Sequence, residues 1–189
     1  MLEEEYNPRR QLPPRLRPAP PEEPAFSFEI RPATTRDIPD MLEIYNHYVA
    51  NSTVTFDEDA YTLKEMRARF RHVVEELHYP WLVAVSPNGM ILGYTYVTPW
   101  KQKAAYRFTV EDSIYLSPAA TGKGIGKALL VDLARQCVAN GWSRLQWSVL
   151  DWNTPSIAFY KSLGAELMDE WTICRVGGPA LTALAQGAR

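Results

Sequence analysis

The chain has 189 residues, 46% of them hydrophobic and 22% charged, with a formal net charge of -2. That is enough apolar material for one folded domain with a sizeable core, and it excludes disorder throughout. The nearly balanced charge, with no Lys/Arg cluster on a predicted helix, argues against nucleic acid as a partner.

The chain begins with Glu3, Glu4 and Glu5 among its first residues and lacks an apolar signal region. No run approaches the roughly 18 apolar residues that span a bilayer. A cytoplasmic location with no membrane partner is therefore expected. Cys137 falls in a helical pattern and Cys174 in a strand pattern. They supply neither a disulfide framework nor a metal spacing, and they read as small buried apolar groups. No metal is expected.

Residues 1–25 carry seven prolines among Arg and Glu, which predicts a disordered tail. Phe26 to Arg31 alternates as a half-buried strand with Phe26, Phe28 and Ile30 on one face. Thr34 or Thr35 is expected to cap a helix in which Ile38, Met41, Leu42, Ile44, Tyr45 and Tyr48 fall at helical spacing, ending before Asn51. His47 lies in its last turn, where it suits the helix dipole. Thr62 and Glu65 form a capping box for a second helix running to about Leu77.

Trp81 to Val85 and Met90 to Thr98 read as strands joined across Pro87-Asn88-Gly89, and Tyr106 to Leu116 as a third. The segment Trp100 to Tyr106 between them is aromatic and basic, which fits a small-molecule site and a solvated turn equally. A helix from about Gly124 to Asn140 is expected to turn Ile125, Leu129, Leu133 and Val138 inward. Arg144 to Leu150 reads as a strand, Asn153 to Ser162 as a short helix, and Glu166 to Val176 as a last strand. One domain over 26–177 is expected, followed by a tail at 178–189 with room for a short helix. This order predicts the α/β class, with a mixed, mostly antiparallel twisted sheet flanked by helices on both faces.

The stretch T-V-E-D-S-I-Y-L-S-P-A-A-T-G-K-G-I-G-K-A-L-L carries the chemistry. A strand pattern is stopped by Pro118 and followed by Gly122, Gly124 and Gly126, then by a helical pattern. Glycine backbone at a helix N-terminus is an anion site, so a phosphate-bearing ligand is expected. A nucleotide-triphosphate loop is excluded because Thr121 stands where it needs glycine and Ala128 where it needs Ser or Thr; the G-x-G-x-G spacing also departs from a dinucleotide fingerprint. A carboxylate at Glu111, on the strand leading into this turn, fits a general base or an ordinary solvated acid. Asp112 points to the opposite face and reads as the ordinary acid of the two. Tyr160 follows Asn153 by two helical turns and fits either a proton donor or core packing.

The runs S-I-Y-L-S-P-A-A-T-G-K-G-I-G-K-A-L-L and N-T-P-S-I-A-F-Y-K-S-L-G-A resemble the acetyl-CoA-binding core of the GNAT N-acetyltransferase superfamily, and the resemblance extends from Phe28 to about Val176. It implies the GNAT fold, with acetyl-CoA as co-substrate. By the same resemblance, the backbone of Ile114, Tyr115 and Leu116 pairs with the pantetheine arm, and the amides of Gly122, Lys123, Gly124, Ile125, Gly126 and Lys127 hold the pyrophosphate. Asn153 then contacts the cofactor, and Tyr160 is the general acid. Thr121 departs from the superfamily's usual Gln or Arg, which leaves one side-chain contact unaccounted for.

The N-terminal half is similar to phosphinothricin acetyltransferases in N-H-Y-V-A-N-S-T-V-T-F, Y-P-W-L-V-A, P-W-K-Q-K-A-A-Y and T-V-E-D-S-I-Y-L. This implies that Glu111 is the base, that Phe56 and Tyr106 border the acceptor, and that Lys103 faces its acidic groups where that family commonly has Arg. A homodimer is also implied. The C-terminal half, from W-S-V-L-D-W-N onward, is more similar to spermidine/spermine and diamine acetyltransferases. The expected activity is direct acetyl transfer in a ternary complex to a small amino-acid-like amine of the phosphinothricin or methionine sulfoximine type. A polyamine or diamine acceptor is the alternative, and a non-catalytic acyl-CoA-binding module is a third reading.

Overall fold

Strand pairing organises the chain up to Gln146. In the computed structural model, which describes residues 26–168 and 174–187, one sheet has the order β1 (Glu29–Pro32), β2 (Trp81–Val85), β3 (Ile91–Pro99), β4 (Thr109–Leu116) and β5 (Arg144–Gln146). Neighbours are antiparallel from β1 to β4, and β5 joins β4 in parallel. The helices of this unit are α1 (Ile38–Asn51), α2 (Leu63–Arg71), continued by a π-helical turn His72–Glu76, and α3 (Ile125–Ala139). A second compact unit begins at Trp147 and holds α4 (Thr154–Ser162) and α5 (Pro179–Ala185).

Helices cover both faces of the sheet, so β2 reads W-L-V-A-V with no polar alternation. Trp81, Val83, Ile91, Tyr94 and Tyr96 pack with Ile38, Met41, Ile44 and Tyr45 of α1 and with Met66, Phe70 and Val73. On the other face, Leu82, Ala84, Leu92, Val97 and Val110 pack with Ile125, Leu129, Leu133 and Cys137 of α3. Each Val, Leu, Ile, Phe or Met among them, fully buried, contributes roughly 1.5–3 kcal/mol.

Several local expectations change. Phe26 is exposed and the first strand begins at Glu29. Asp37, not a threonine, precedes α1; its carboxylate accepts from the Thr34 N–H at 2.7 Å and pairs with Arg31 at 2.7 Å, which holds it below the usual carboxylate range. The Thr62–Glu65 box caps α2 as expected, with the Thr62 N–H donating to the Glu65 carboxylate at 2.7 Å. Residues Ala104–Tyr106 form a 3-10 turn, so β4 starts at Thr109.

On α3 the inward residue is Cys137, whereas Val138 is exposed. At about 100° per residue, Cys137 continues the stripe of Ile125, Leu129 and Leu133, and Val138 lies on the other side. β5 ends at Gln146 although the alternation runs on to Leu150. Periodicity reports a buried face, not whether a neighbouring strand stays within reach. The described residues between Glu166 and Val176 form no strand, and Cys174 is exposed. The remainder of that range and the tail over 1–25 lie outside the described residues.

Gly93 on β3 opposes Leu116 of β4. A Cβ there would lie 2.5 Å from Leu116 Cδ2 and 2.8 Å from the Tyr115 carbonyl oxygen. Gly93→Ala is expected to destabilise the fold by about 1–3 kcal/mol, read as a lower urea midpoint with an unchanged slope; an unchanged midpoint contradicts the close approach.

Candidate active site

Two backbone bonds set the phase of β4. The Ser117 N–H donates to the Leu92 carbonyl at 2.9 Å and the Trp100 N–H to the Thr109 carbonyl at 3.3 Å. Backbone groups alternate between edges, so Thr109, Glu111, Ser113 and Tyr115 turn theirs to β3, and Val110, Asp112, Ile114 and Leu116 turn theirs to the other edge. β5 pairs that edge only from Thr109 to Glu111. Beyond Glu111 the edge has no strand partner within this unit. The last ladder bond takes the Asp112 N–H to Gln146, so the N–H groups left without a strand partner in this unit are those of Ile114 and Leu116, while the Leu116 carbonyl accepts from the Tyr48 hydroxyl at 2.7 Å. Of the three residues expected to pair with a pantetheine arm, Ile114 and Leu116 face this edge and Tyr115 faces β3.

The glycine turn follows directly. Gly122 and Gly124 have φ of 74° and 79°, and a Cβ on either would meet open space. Left-handed backbone, not lack of room, demands glycine here. Gly126 lies against the strand end, where a Cβ would sit 3.5 Å from Leu116 Cδ1. α3 has no side-chain cap, and its first backbone bond runs from the Ala128 N–H to the Gly124 carbonyl at 3.1 Å. Among the described residues, no acceptor takes the N–H groups of Gly122, Lys123, Gly124, Ile125, Gly126 and Lys127. They stand at the positive end of a 15-residue helix, the arrangement that binds phosphate oxygens.

Alternation separates the two acids of β4. Glu111 is half-buried on the face of Ser113 and Tyr115, toward the α1 and α2 core, and burial raises its pKa above the ordinary carboxylate range. A carboxylate there is a stronger base than one in water. Asp112 points the other way, but it is buried, not a solvated acid: both faces of β4 are covered. Burial pushes its carboxyl up to about 7, against the Thr95 hydroxyl that donates to it at 2.6 Å and with the Glu111 charge adding to the rise. The neighbouring Cys137 thiol is pushed up to about 11, chiefly by burial.

The remaining residues stand on loops or in the second unit. Phe56 lies between α1 and α2, exposed and with φ of 56°. Lys103 is exposed and joined to the half-buried Tyr106, whose N–H donates to the Lys103 carbonyl at 2.9 Å. Lys101, passed over in the sequence, places its ammonium 5.5 Å from the Tyr106 ring centroid. In the second unit Asn153 caps α4, its Oδ1 accepting from the Ser156 N–H at 3.3 Å, and Tyr160 packs against Trp147 with ring centroids 5.0 Å apart. Sequence reasoning also missed Arg69, half-buried among Tyr45, Tyr61 and Tyr96. Its signal was a charge at helical spacing within the apolar face of Met66, Phe70 and Val73.

The chain matches the acetyltransferase (GNAT) family over residues 41–165. It is 38% identical over 136 residues to the phosphinothricin N-acetyltransferase of Alcaligenes faecalis, covering 71% of this chain and 68% of that one. It is 34% identical over 142 residues to the L-methionine sulfoximine/L-methionine sulfone acetyltransferase of Pseudomonas aeruginosa, covering 75% and 82%. The crystal structure of a phosphinothricin acetyltransferase from Sinorhizobium meliloti in complex with AcCoA aligns with a TM-score of 0.71 at 40% identity, covering 75% of this chain and 76% of that one. The chain belongs to the GNAT acetyltransferase family. It is an N-acetyltransferase.

Asp112 makes stability depend on pH. Below 3.8 its carboxyl is protonated in both folded and unfolded chains; between 3.8 and about 7 the unfolded chain has released a proton that the folded chain retains. Stability attributable to this group therefore falls as pH rises through that window and levels off above it. Asp112→Asn keeps an acceptor for Thr95 without the charge, so it is expected to flatten the fall between urea midpoints taken at about pH 5 and about pH 8. An undiminished fall contradicts the assignment.

Proposed function

We propose that the protein transfers the acetyl group of acetyl-CoA directly to the α-amine of a small amino-acid-like acceptor of the phosphinothricin or methionine sulfoximine type. The observation that carries this reading is a half-buried carboxylate, Glu111, on the strand whose open edge and following glycine turn fit an extended arm ending in a pyrophosphate. The Ile114 and Leu116 backbone would hold the arm, and the amides from Gly122 to Lys127 the pyrophosphate. Asn153 would add a further contact to the co-substrate. When bound, the co-substrate supplies an acetyl thioester.

Glu111 takes a proton from the acceptor's ammonium, whose ordinary pKa lies between about 8 and 10.5. The freed amine attacks the thioester carbonyl, so a C–N bond forms as the C–S bond breaks; the Tyr160 hydroxyl gives its proton to the departing sulfur, and the proton that the nitrogen sheds on becoming an amide restores that hydroxyl. Phe56 and Tyr106 border the acceptor and Lys103 faces its acidic group; a lysine there keeps the charge of an arginine but not its bidentate fork. A homodimer in the cytoplasm belongs to the same reading, and a monomer in light scattering at working concentration contradicts it.

Free-thiol release from acetyl-CoA with a panel of amines tests the reaction, with phosphinothricin, methionine sulfoximine, spermidine and a diamine in separate wells. Turnover with the amino-acid analogues is expected; turnover confined to the polyamines replaces the acceptor class. Glu111→Gln is expected to lower kcat by about 100-fold or more without weakening the thermal shift given by acetyl-CoA. In the wild type, activity falls on the acid side as Glu111 is protonated, at a pH displaced upward by burial, and Glu111→Gln removes that limb. An unchanged kcat in Glu111→Gln eliminates Glu111 as the base. Lys103→Ala is expected to raise KM for an acidic acceptor, and an unchanged KM removes Lys103 from the site.

A further inference from the structure

The loop that carries Phe56 is held by α1, and one cation on α2 links those holds to the sheet. Phe56 has φ of 56°, a conformation that a phenylalanine keeps only when its surroundings impose it, and the residue is 78% exposed, so its own packing does not impose it. The hold comes from its neighbours. Tyr45 of α1 donates its hydroxyl to the Asp57 carboxylate. Asn46 fixes the far end of the loop, accepting from the Tyr61 N–H at 2.8 Å and donating to the Tyr61 carbonyl at 2.9 Å.

Arg69 of α2 joins these points. Its guanidinium carbon lies 4.3 Å from the Tyr61 ring centroid and 5.1 Å from that of Tyr45. Its N–H groups donate to the Tyr61 hydroxyl and, at 3.5 Å, to the Tyr96 hydroxyl. Tyr96 on β3 opposes Ser113 of β4 and is hydrogen-bonded to it, two residues beyond Glu111 on the same face. Among the described residues no carboxylate pairs with Arg69. Ring faces and phenol oxygens compensate its charge, a role that suits a planar guanidinium and not an ammonium.

We propose that Arg69 is a positioning residue for acetyl transfer: it ties the loop bearing Phe56 to the strand pair bearing Glu111, and so sets the acceptor-side wall against the base. The inference rests on the reading of Phe56 as a border of the acceptor. Arg69 touches neither substrate nor the reacting atoms, and it acts through Tyr61, Tyr45 and Tyr96.

The test compares full-length wild type with Arg69→Met, Arg69→Lys, Tyr45→Phe and Phe56→Ala. Amide exchange over residues 52–61 is expected to quicken about tenfold or more in Arg69→Met, with β4 and α3 unchanged. KM for whichever amine the panel selects is expected to rise about tenfold while KM for acetyl-CoA stays within about twofold, a split that general destabilisation does not produce. Arg69→Lys does not rescue, for want of the planar fork. Tyr45→Phe, which removes the hydroxyl that meets Asp57 and Arg69 but keeps the ring and the Tyr61 and Tyr96 contacts, gives a smaller change of the same kind and keeps the test open if Arg69→Met does not fold. Unchanged exchange over 52–61, or both KM values rising together, overturns the proposal. Phe56→Ala separates the two ways of failing: a raised amine KM in Phe56→Ala but not in Arg69→Met refutes the tie, whereas an unchanged amine KM in both removes Phe56 from the acceptor site.

Discussion

The site depends on a parallel ladder that stops after Glu111. β5 pairs with β4 over three residues, Arg144 to Gln146, where the first unit ends. Had the ladder continued, the N–H groups of Ile114 and Leu116 would have been spent inside the sheet, as that of Asp112 is and as such groups are in nearly every buried strand. Because it stops, the same strand serves two purposes: its first half is an ordinary sheet member, and its second half is an edge with donors directed outward. The turn at Gly122 and Gly124 then swings the chain into α3 so that the helix N-terminus lies beside the strand end, with Gly126 against Leu116. Donors along an edge, leading to a ring of amides at a positive helix end, form one continuous surface for a ligand with an extended amide-bearing arm and an anionic end.

The same strand divides its chemistry by alternation. Glu111 and Asp112 are adjacent in sequence and face different cores, so each loses water to a different set of neighbours. Glu111 keeps partial access to solvent, and burial makes it a better proton acceptor without denying it the charged form. Asp112 is held beside Thr95 under α3, where its charge is opposed more strongly. One residue of register decides which carboxylate is available for chemistry and which is sealed in the fold.

Much of this was legible in the chain because it rests on local physics. Thr62 with Glu65, the turn at Pro87-Asn88-Gly89 and the two left-handed glycines are short-range features, and each forms as its residues dictate. Asn153 stands where the short helix was expected to begin and caps it. What escaped depends on distant partners. β5 ends at Gln146 although the alternation of L-Q-W-S-V-L runs on, because alternation reports faces and not pairing. Asp112 read as solvated because alternation tells which face a side chain takes and not whether that face is covered. Arg69 joins α2 to β3 and to the loop after α1, and its only trace in the sequence is a cation within an apolar stripe. Val138 was a misjudged phase: one residue of error on a helix turns a side chain through about 100°.

The central claim is that the open edge of β4 and the glycine turn together receive acetyl-CoA. A backbone amide exchange footprint of the full-length protein, with and without acetyl-CoA, tests it most directly. The account predicts new protection at Ile114 and Leu116 and through Gly122 to Lys127, with β1 unaffected. Binding of acetyl-CoA with no protection in either segment would contradict it.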